Sequence, residues 1–130
     1  MILATSAIVA ILLREAAKDR LVDLVEDAEA CRIGAPTLLE SAMLLTGRMG
    51  DSARVLLAAF LQEANVDILS FTEAHWRVAQ SAFARFGKGR HPAALNLGDC
   101  LTYAIAYVAG EPLLCTGDDF GRTDLQLVDY

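Results

Sequence analysis

Short strand-length runs rich in apolar residues, spaced along the chain, constrain its fold more than any other feature: Ile2 and Leu3, Cys31 to Ala35, Val66 to Leu69, and Leu113 to Cys115. Each reads as a short strand, and Ile2 with Leu3 and Leu113 to Cys115 read as buried ones, too short to alternate. Between them lie stretches of helical length with apolar residues at three- and four-residue spacing. Such an order, βαα, βαα, βα, αβ, predicts a three-layer α/β/α architecture with a central, mostly parallel sheet. With 130 residues, 55% of them hydrophobic and 22% charged, the material suffices for one core, and a single domain over 1–130 is expected.

The first strand gives way at residue 4. Thr5 or Ser6 can cap a helix beginning near Ala7, whose wide apolar face carries Ile8, Val9, Ile11 and Leu12. This apolar opening lacks a basic leader and is shorter than the roughly 20 residues of a membrane span, so neither a signal peptide nor an anchor is expected there. A second helix, about Ala16 to Glu29, turns Leu21, Leu24 and Val25 inward. Pro36 in a first turn, with Thr37, opens a third helix reaching about Met49. Gly50 then breaks the chain, and Asp51 or Ser52 caps a fourth helix with Val55, Leu56, Ala59, Phe60 and Ala64 as its stripe, completing a hairpin. Thr72 and Glu73 start a fifth helix through about Phe86, on which Trp76, Ala79 and Phe83 recur as core or oligomer contacts; His75 has no visible partner. A sixth, beginning near Asn96 and stopped by Gly110, carries Leu101, Ala104, Ile105 and Val108 inward. Leu125, Leu127 and Val128 can add a terminal edge strand.

This order brings several carboxylates to one edge of the sheet, the carboxyl edge where open α/β folds place ligands. Asp99 falls in the first turn of the sixth helix, and Asp118 and Asp119 follow the last strand directly. Glu40 lies one turn into the third helix among Leu38, Leu39, Ala42, Met43, Leu44 and Leu45, where a carboxylate is costly unless compensated. Carboxylates that converge without cationic partners repel one another and favour a divalent ion. Oxygen-only ligands select a hard cation, Mg2+ or Mn2+, suited to hydrolytic phosphoryl chemistry by metal-activated water. Asp118 and Asp119 point in different directions if extended, so one is expected to ligate and the other to orient or pair. Plain helix capping is the alternative for each isolated Asp.

The formal net charge of −6 excludes a generally basic nucleic-acid binder but not a local patch. The segment RFGKGRH gathers Arg85, Lys88 and Arg90 around two glycines, either as a solvated connector or as a clamp on a phosphate backbone, with Lys88 and Arg90 as candidate RNA contacts. Cys31, Cys100 and Cys115 are scattered in apolar contexts, which reads as reduced core thiols and a cytoplasmic protein.

The stretches MILATSAIVAILL, TLLE around Glu40, RHPAALNLGDCLTYAIA around Asp99 and PLLCTGDDF resemble the PIN-domain ribonucleases. Within them the resemblance is to the VapC toxins of bacterial toxin–antitoxin pairs, and it covers essentially the whole chain. It implies a small α/β/α nuclease with an acidic Mg2+ site that cuts structured RNA, often transfer or ribosomal RNA. It also implies a homodimer held inactive by a cognate VapB antitoxin. Ligand roles transfer to Glu40 and Asp99, and to Asp118 or Asp119, while Thr5 or Ser6 could orient a ligand or contact phosphate.

At one place the chain departs from that pattern. The family carries Asp at the end of the first strand, in M-I-x-D-T-S-A, and here Ala4 stands between Leu3 and Thr5. Alanine offers no side-chain oxygen, so weak Mg2+ binding and little or no cleavage are expected of this chain. Its intact flanks fit a change that lets a toxic nuclease be produced, or a natural degenerate copy. A binding module that engages antitoxin, and RNA as well, without chemistry is the alternative; an acid at residue 4 is required by the nuclease and irrelevant to the module. A receiver-like or phosphatase domain is disfavoured, because no D-x-D nucleophile follows the first strand.

Overall fold

A computed structural model describes all 130 residues. The strands are β1 (Ile2–Leu3), β2 (Arg32–Gly34), β3 (Asp67–Leu69) and β4 (Leu113–Leu114). The helices are α1 (Thr5–Leu12), α2 (Lys18–Asp27), α3 (Ala35–Met49), α4 (Ser52–Glu63), α5 (Glu73–Phe86) and α6 (Leu97–Ala109), and a 3₁₀ turn covers Phe120–Arg122. The strands pair in the order β3-β2-β1-β4, every pair parallel. The sheet flanked by helices is thus the expected three-layer α/β/α arrangement.

Successive strand residues point to opposite faces, and the two-residue strands use both. Ile2 and Leu113 enter a core with Phe86, Tyr103 and Ile105 of α5 and α6. Leu3 and Leu114 enter a second core with Ile8, Leu21, Ile33 and Leu45. All four strand residues are fully buried, and each such side chain contributes roughly 1.5–3 kcal/mol. Burial on both faces is why these strands show no alternation.

Several helix expectations shift. Helix α1 starts at Thr5, not near Ala7, because Ala4 is already its N-cap; the Ala4 carbonyl accepts from the amides of Ala7 and Ile8 at 3.2 and 3.3 Å. Helix α2 is shorter than Ala16 to Glu29. Helix α3 is not a buried helix: Leu39 and Met43 are 62% and 66% exposed, and only Thr37, Ser41 and Leu45 are buried. On α4 the buried positions are Ala53 and Leu57, while Val55 and Leu56 face outward. Helix–helix packing against one side only decides both cases, since apolar composition does not say which side. Trp76 and Phe83 of α5 are likewise about half exposed, and the core takes Ala82 and Phe86 instead. Helix α6 is buried nearly all round, through Cys100, Thr102, Tyr103, Ala104, Ile105 and Ala106, and Val108 lies outside. It ends at Gly110 in the left-handed conformation, φ 65°, that glycine adopts without penalty.

His75 does have a partner. Its Nδ1 accepts the Thr72 amide N–H at 3.0 Å in the cap of α5. The basic segment is solvated from Lys88 to Arg90, and its ends are tied together. Gly87 and Leu95 form a bridge, with the Lys88 amide donating to the Leu95 carbonyl and the Leu95 amide to the Phe86 carbonyl, both at 2.9 Å. The terminal residues form no strand. They make one isolated parallel bridge, Leu113 to Leu127, because β4 itself offers only two residues to pair with.

Candidate active site

The carboxyl ends of β1, β2 and β4 lie side by side, so whatever follows them shares one edge. Behind β1 comes Ala4, 2% exposed, its amide donating to the Leu114 carbonyl at 3.0 Å. Its backbone is extended as an N-cap requires, but it supplies no side-chain cap to α1. Next to it, the Thr5 hydroxyl donates to Glu40 Oε1 at 2.6 Å, and the Ser6 hydroxyl accepts the Thr116 amide N–H at 3.0 Å. Thr5 thus ties α1 to α3, and Ser6 ties α1 to the loop after β4.

Glu40 is compensated by that hydroxyl and by its place over the start of α6. A Cβ on Gly98 would fall on the Glu40 carboxylate, so only glycine leaves the room that Glu40 occupies. Below it, buried hydroxyls of Thr37 and Thr102 bond to one another at 2.9 Å, and Ser41 donates to the Thr37 carbonyl at 2.8 Å. These residues fix the face of α3 that carries Glu40 against α6.

Asp99 is set by a reciprocal cap. The Asn96 amide donates to Asp99 Oδ2 at 3.1 Å, and the Asp99 amide donates to Asn96 Oδ1 at 2.9 Å. Desolvation raises the Asp99 carboxyl above the ordinary carboxylate range. The bond from Asn96 opposes the rise, and the charges of Asp119 and Glu40 add to it. Three carboxylates from α6, α3 and the loop after β4 therefore share one electrostatic neighbourhood. The charge of Asp119 also acts on the Cys115 thiol.

No three acidic, histidine or cysteine side chains converge closely enough to cage an ion by themselves. In kind, the donor set fits a hard divalent cation: it is all oxygen, it is negative, and its like charges press on Asp99. Ala4, buried between β1 and Thr5, brings no side-chain oxygen to this edge. Lys88 and Arg90 stand on the bridged loop between α5 and α6, with the Arg90 guanidinium 5.6 Å from the Phe83 ring centre.

A PIN-domain family profile matches residues 1–125. The chain is 43% identical over 127 residues to the ribonuclease VapC36 of Mycobacterium tuberculosis, covering 97% of this chain and 91% of that one. This chain belongs to the VapC ribonucleases of the PIN-domain family. A further VapC ribonuclease, from Mycolicibacterium smegmatis, is 38% identical over 128 residues, covering 98% of this chain and 99% of that protein. In fold, this PIN domain matches the crystal structure of Mycobacterium tuberculosis VapC20, described as a sarcin-ricin loop cleaving toxin, with a TM-score of 0.80 at 21% identity, over 98% and 97% of the two chains. It also matches VapBC2 of Rickettsia felis, solved bound to a promoter DNA fragment, with a TM-score of 0.76 at 14% identity over 98% and 96% of the chains.

Several residues of this PIN domain's edge escape a reading for carboxylates. Gly98 acts by having no side chain. Asn96 is legible in hindsight from the N-x-x-D spacing of a reciprocal cap. Tyr103 and Asp124, joined by a 2.6 Å hydrogen bond, carry no motif at all.

Proposed function

We propose that this chain is the toxin component of a type II toxin–antitoxin pair, built as a Mg2+-dependent endoribonuclease for structured RNA such as transfer or ribosomal RNA and disabled at Ala4. The observation that carries the reading is the electrostatic neighbourhood of Glu40, Asp99 and Asp119 beside the Ala4 methyl at one sheet edge. Asp99, Glu40 and Asp119 would hold the ion, Mn2+ being the alternative metal, with Asp118 beside Asp119 left to orient or pair. When bound, the cation lowers the pKa of water to supply a nucleophile and neutralises charge on the scissile phosphate. The chain's own part is orientation: Thr5 holds Glu40, Asn96 holds Asp99, and Ser6 holds the backbone of the loop that carries Asp119. Lys88 and Arg90 would meet the RNA backbone, a sequence-independent contact that weakens with salt.

An antitoxin partner is supported by the VapBC complex among the structural neighbours. Its place would be the cleft of about 710 Å3 between α1, α2 and α4, lined by Leu12, Leu13, Val22, Met49 and Phe60 and by the charged Arg14, Lys18, Glu26 and Glu63. A homodimer, with the half-exposed apolar residues of α3 and α5 as its surface, completes the proposal. The second reading, a binding module that keeps the antitoxin cleft and performs no chemistry, is favoured by Ala4 alone.

The test is to incubate the chain and its Ala4→Asp variant with folded transfer and ribosomal RNA, with Mg2+ and with a chelator. Chelator-sensitive cutting by Ala4→Asp only is expected. Cutting by neither folded protein across several RNAs moves the assignment to the binding module, and Mg2+-dependent turnover by the unaltered chain overturns the role given to Ala4.

A further inference from the structure

The loop from Cys115 to Leu125 leaves β4 and returns to it, and Asp119 stands near its middle. Both ends are pinned: the Thr116 amide donates to Ser6, and the Leu113 amide donates to the Gln126 carbonyl at 2.9 Å. Between the pins the loop folds into the 3₁₀ turn whose N-cap is Asp119. Phe120 is buried there, and the Thr123 hydroxyl closes the turn onto the Phe120 carbonyl at 2.7 Å. These bonds shape the turn, and Phe120 shares an apolar core with Cys100 and Tyr103 of α6, where Asp99 resides.

A directional, polar connection is added by Asp124. The buried Tyr103 hydroxyl donates to Asp124 Oδ1 at 2.6 Å, and the Arg85 guanidinium donates to Oδ2 at 3.2 Å. Tyr103 lies four residues beyond Asp99 on α6, so the two side chains share a helix face one turn apart. The phenol ring is itself held, stacked on Tyr107 at 5.8 Å and packed against Phe86 at 6.0 Å. Arg85 lies over the Phe86 ring at 4.6 Å and closes α5 just before the basic loop. The Tyr103 hydrogen bond, with help from Arg85, holds the Asp124 carboxyl below its ordinary range, as expected for a carboxylate engaged by both of its oxygens.

We propose that Tyr103 and Arg85, acting through Asp124, are positioning residues that set where Asp119 stands relative to Asp99, and so tie the acidic turn to the helix that precedes the basic loop. The inference rests on the nuclease reading for its effect on activity, but the clamp itself is a property of the metal-free chain. Tyr103 and Arg85 act on the reaction only through the turn they anchor.

The experiment uses the Ala4→Asp chain as parent and adds Tyr103→Phe, Asp124→Ala or Asp124→Asn. Phenylalanine keeps the packed ring and removes only the hydroxyl, and asparagine can still accept the Tyr103 bond. With Tyr103→Phe and Asp124→Ala, kcat on RNA should fall by about ten- to a hundredfold at unchanged KM, the scale of a small misplacement of a catalytic group. Mn2+ affinity, read by electron paramagnetic resonance, should weaken with it, and Asp124→Asn should restore most of both. Parent-like kcat and Mn2+ affinity in Tyr103→Phe and Asp124→Ala overturn the proposal. If the parent neither binds Mn2+ nor cuts RNA, the nuclease reading fails. The clamp is then judged by amide hydrogen exchange in the unaltered chain: faster exchange over residues 117–123 in Tyr103→Phe, but not in Asp124→Asn, sustains it, and equal exchange in all three refutes it.

Discussion

Replacing Gly98 by Ala tests how the edge is assembled, because a single methyl is placed where a carboxylate already is. An ideal Cβ at this position overlaps Glu40 Oε2 and comes within 2.7 Å of the carboxyl carbon and 2.9 Å of Oε1. The neighbour is the far end of a flexible side chain, so Glu40 swings away and α6 stays. What is lost is the 2.6 Å bond from the Thr5 hydroxyl, a charge-assisted bond of about 1.5–3 kcal/mol. What is gained is the preference of alanine over glycine in a helix, about 1 kcal/mol at most in a first turn. The difference is a net loss of about 0.5–2 kcal/mol, or roughly 2–8 °C in Tm for a domain of this size. Thermal melts of Gly98→Ala, Thr5→Val and the double variant form a cycle. Both single changes remove the same bond, so a coupling of about 1–2 kcal/mol is expected. A double variant whose losses simply add, or a Gly98→Ala chain that melts above its parent with the cost of Thr5→Val undiminished, would refute the reasoning.

Further outcomes follow from the same site. Ala4→Asp places a charge at a buried position beside other carboxylates, so without divalent ion it should lower stability by about 1–3 kcal/mol. Mg2+ or Mn2+ at a hundred times its Kd should return about 2.7 kcal/mol, and melting curves indifferent to metal would count against the site. Asp99 has its carboxyl raised, so the chain loses stability as pH climbs from the ordinary carboxylate range through the raised pKa, and the loss is complete above it. Asp99→Asn removes that contribution. Its urea midpoint should exceed the parent's at neutral pH and match it once both side chains are neutral in acid; an equal difference at every pH would sink the argument. Burial pushes the Cys115 thiol up to about 11, and raises Cys31 and Cys100 as well. Iodoacetamide should therefore label the native chain slowly at neutral pH and all three thiols on unfolding, and fast native labelling would contradict the burial.

The architecture was legible in the sequence because its determinants are local. Leu113 and Leu114 could only be a doubly covered strand, Gly110 could only end a helix, and the interval between strands left room for helices alone. The positions of the candidate carboxylates were legible for the same reason: Asp99 falls in the first turn of α6, Asp118 and Asp119 follow β4, and Glu40 lies one turn into α3. Ala4 stood out only against the family pattern, since an alanine at the end of a strand carries no signal of its own.

Tertiary structure decided what distance along the chain conceals. Which side of α3 and α4 is covered depends on the neighbours they pack against, so Val55 and Leu56 face out although their spacing suits a core stripe. Asp119, on a turn held by the buried Phe120, comes into the electrostatic neighbourhood of Asp99 although 20 positions separate them. Thr5 meets Glu40 across 35 positions, and Tyr103 meets Asp124 across 21. Periodicity records how a residue sits on its own element. Contacts between elements arise only when the sheet brings them to a common edge, and that is where the fold, not the local sequence, set the geometry of the site.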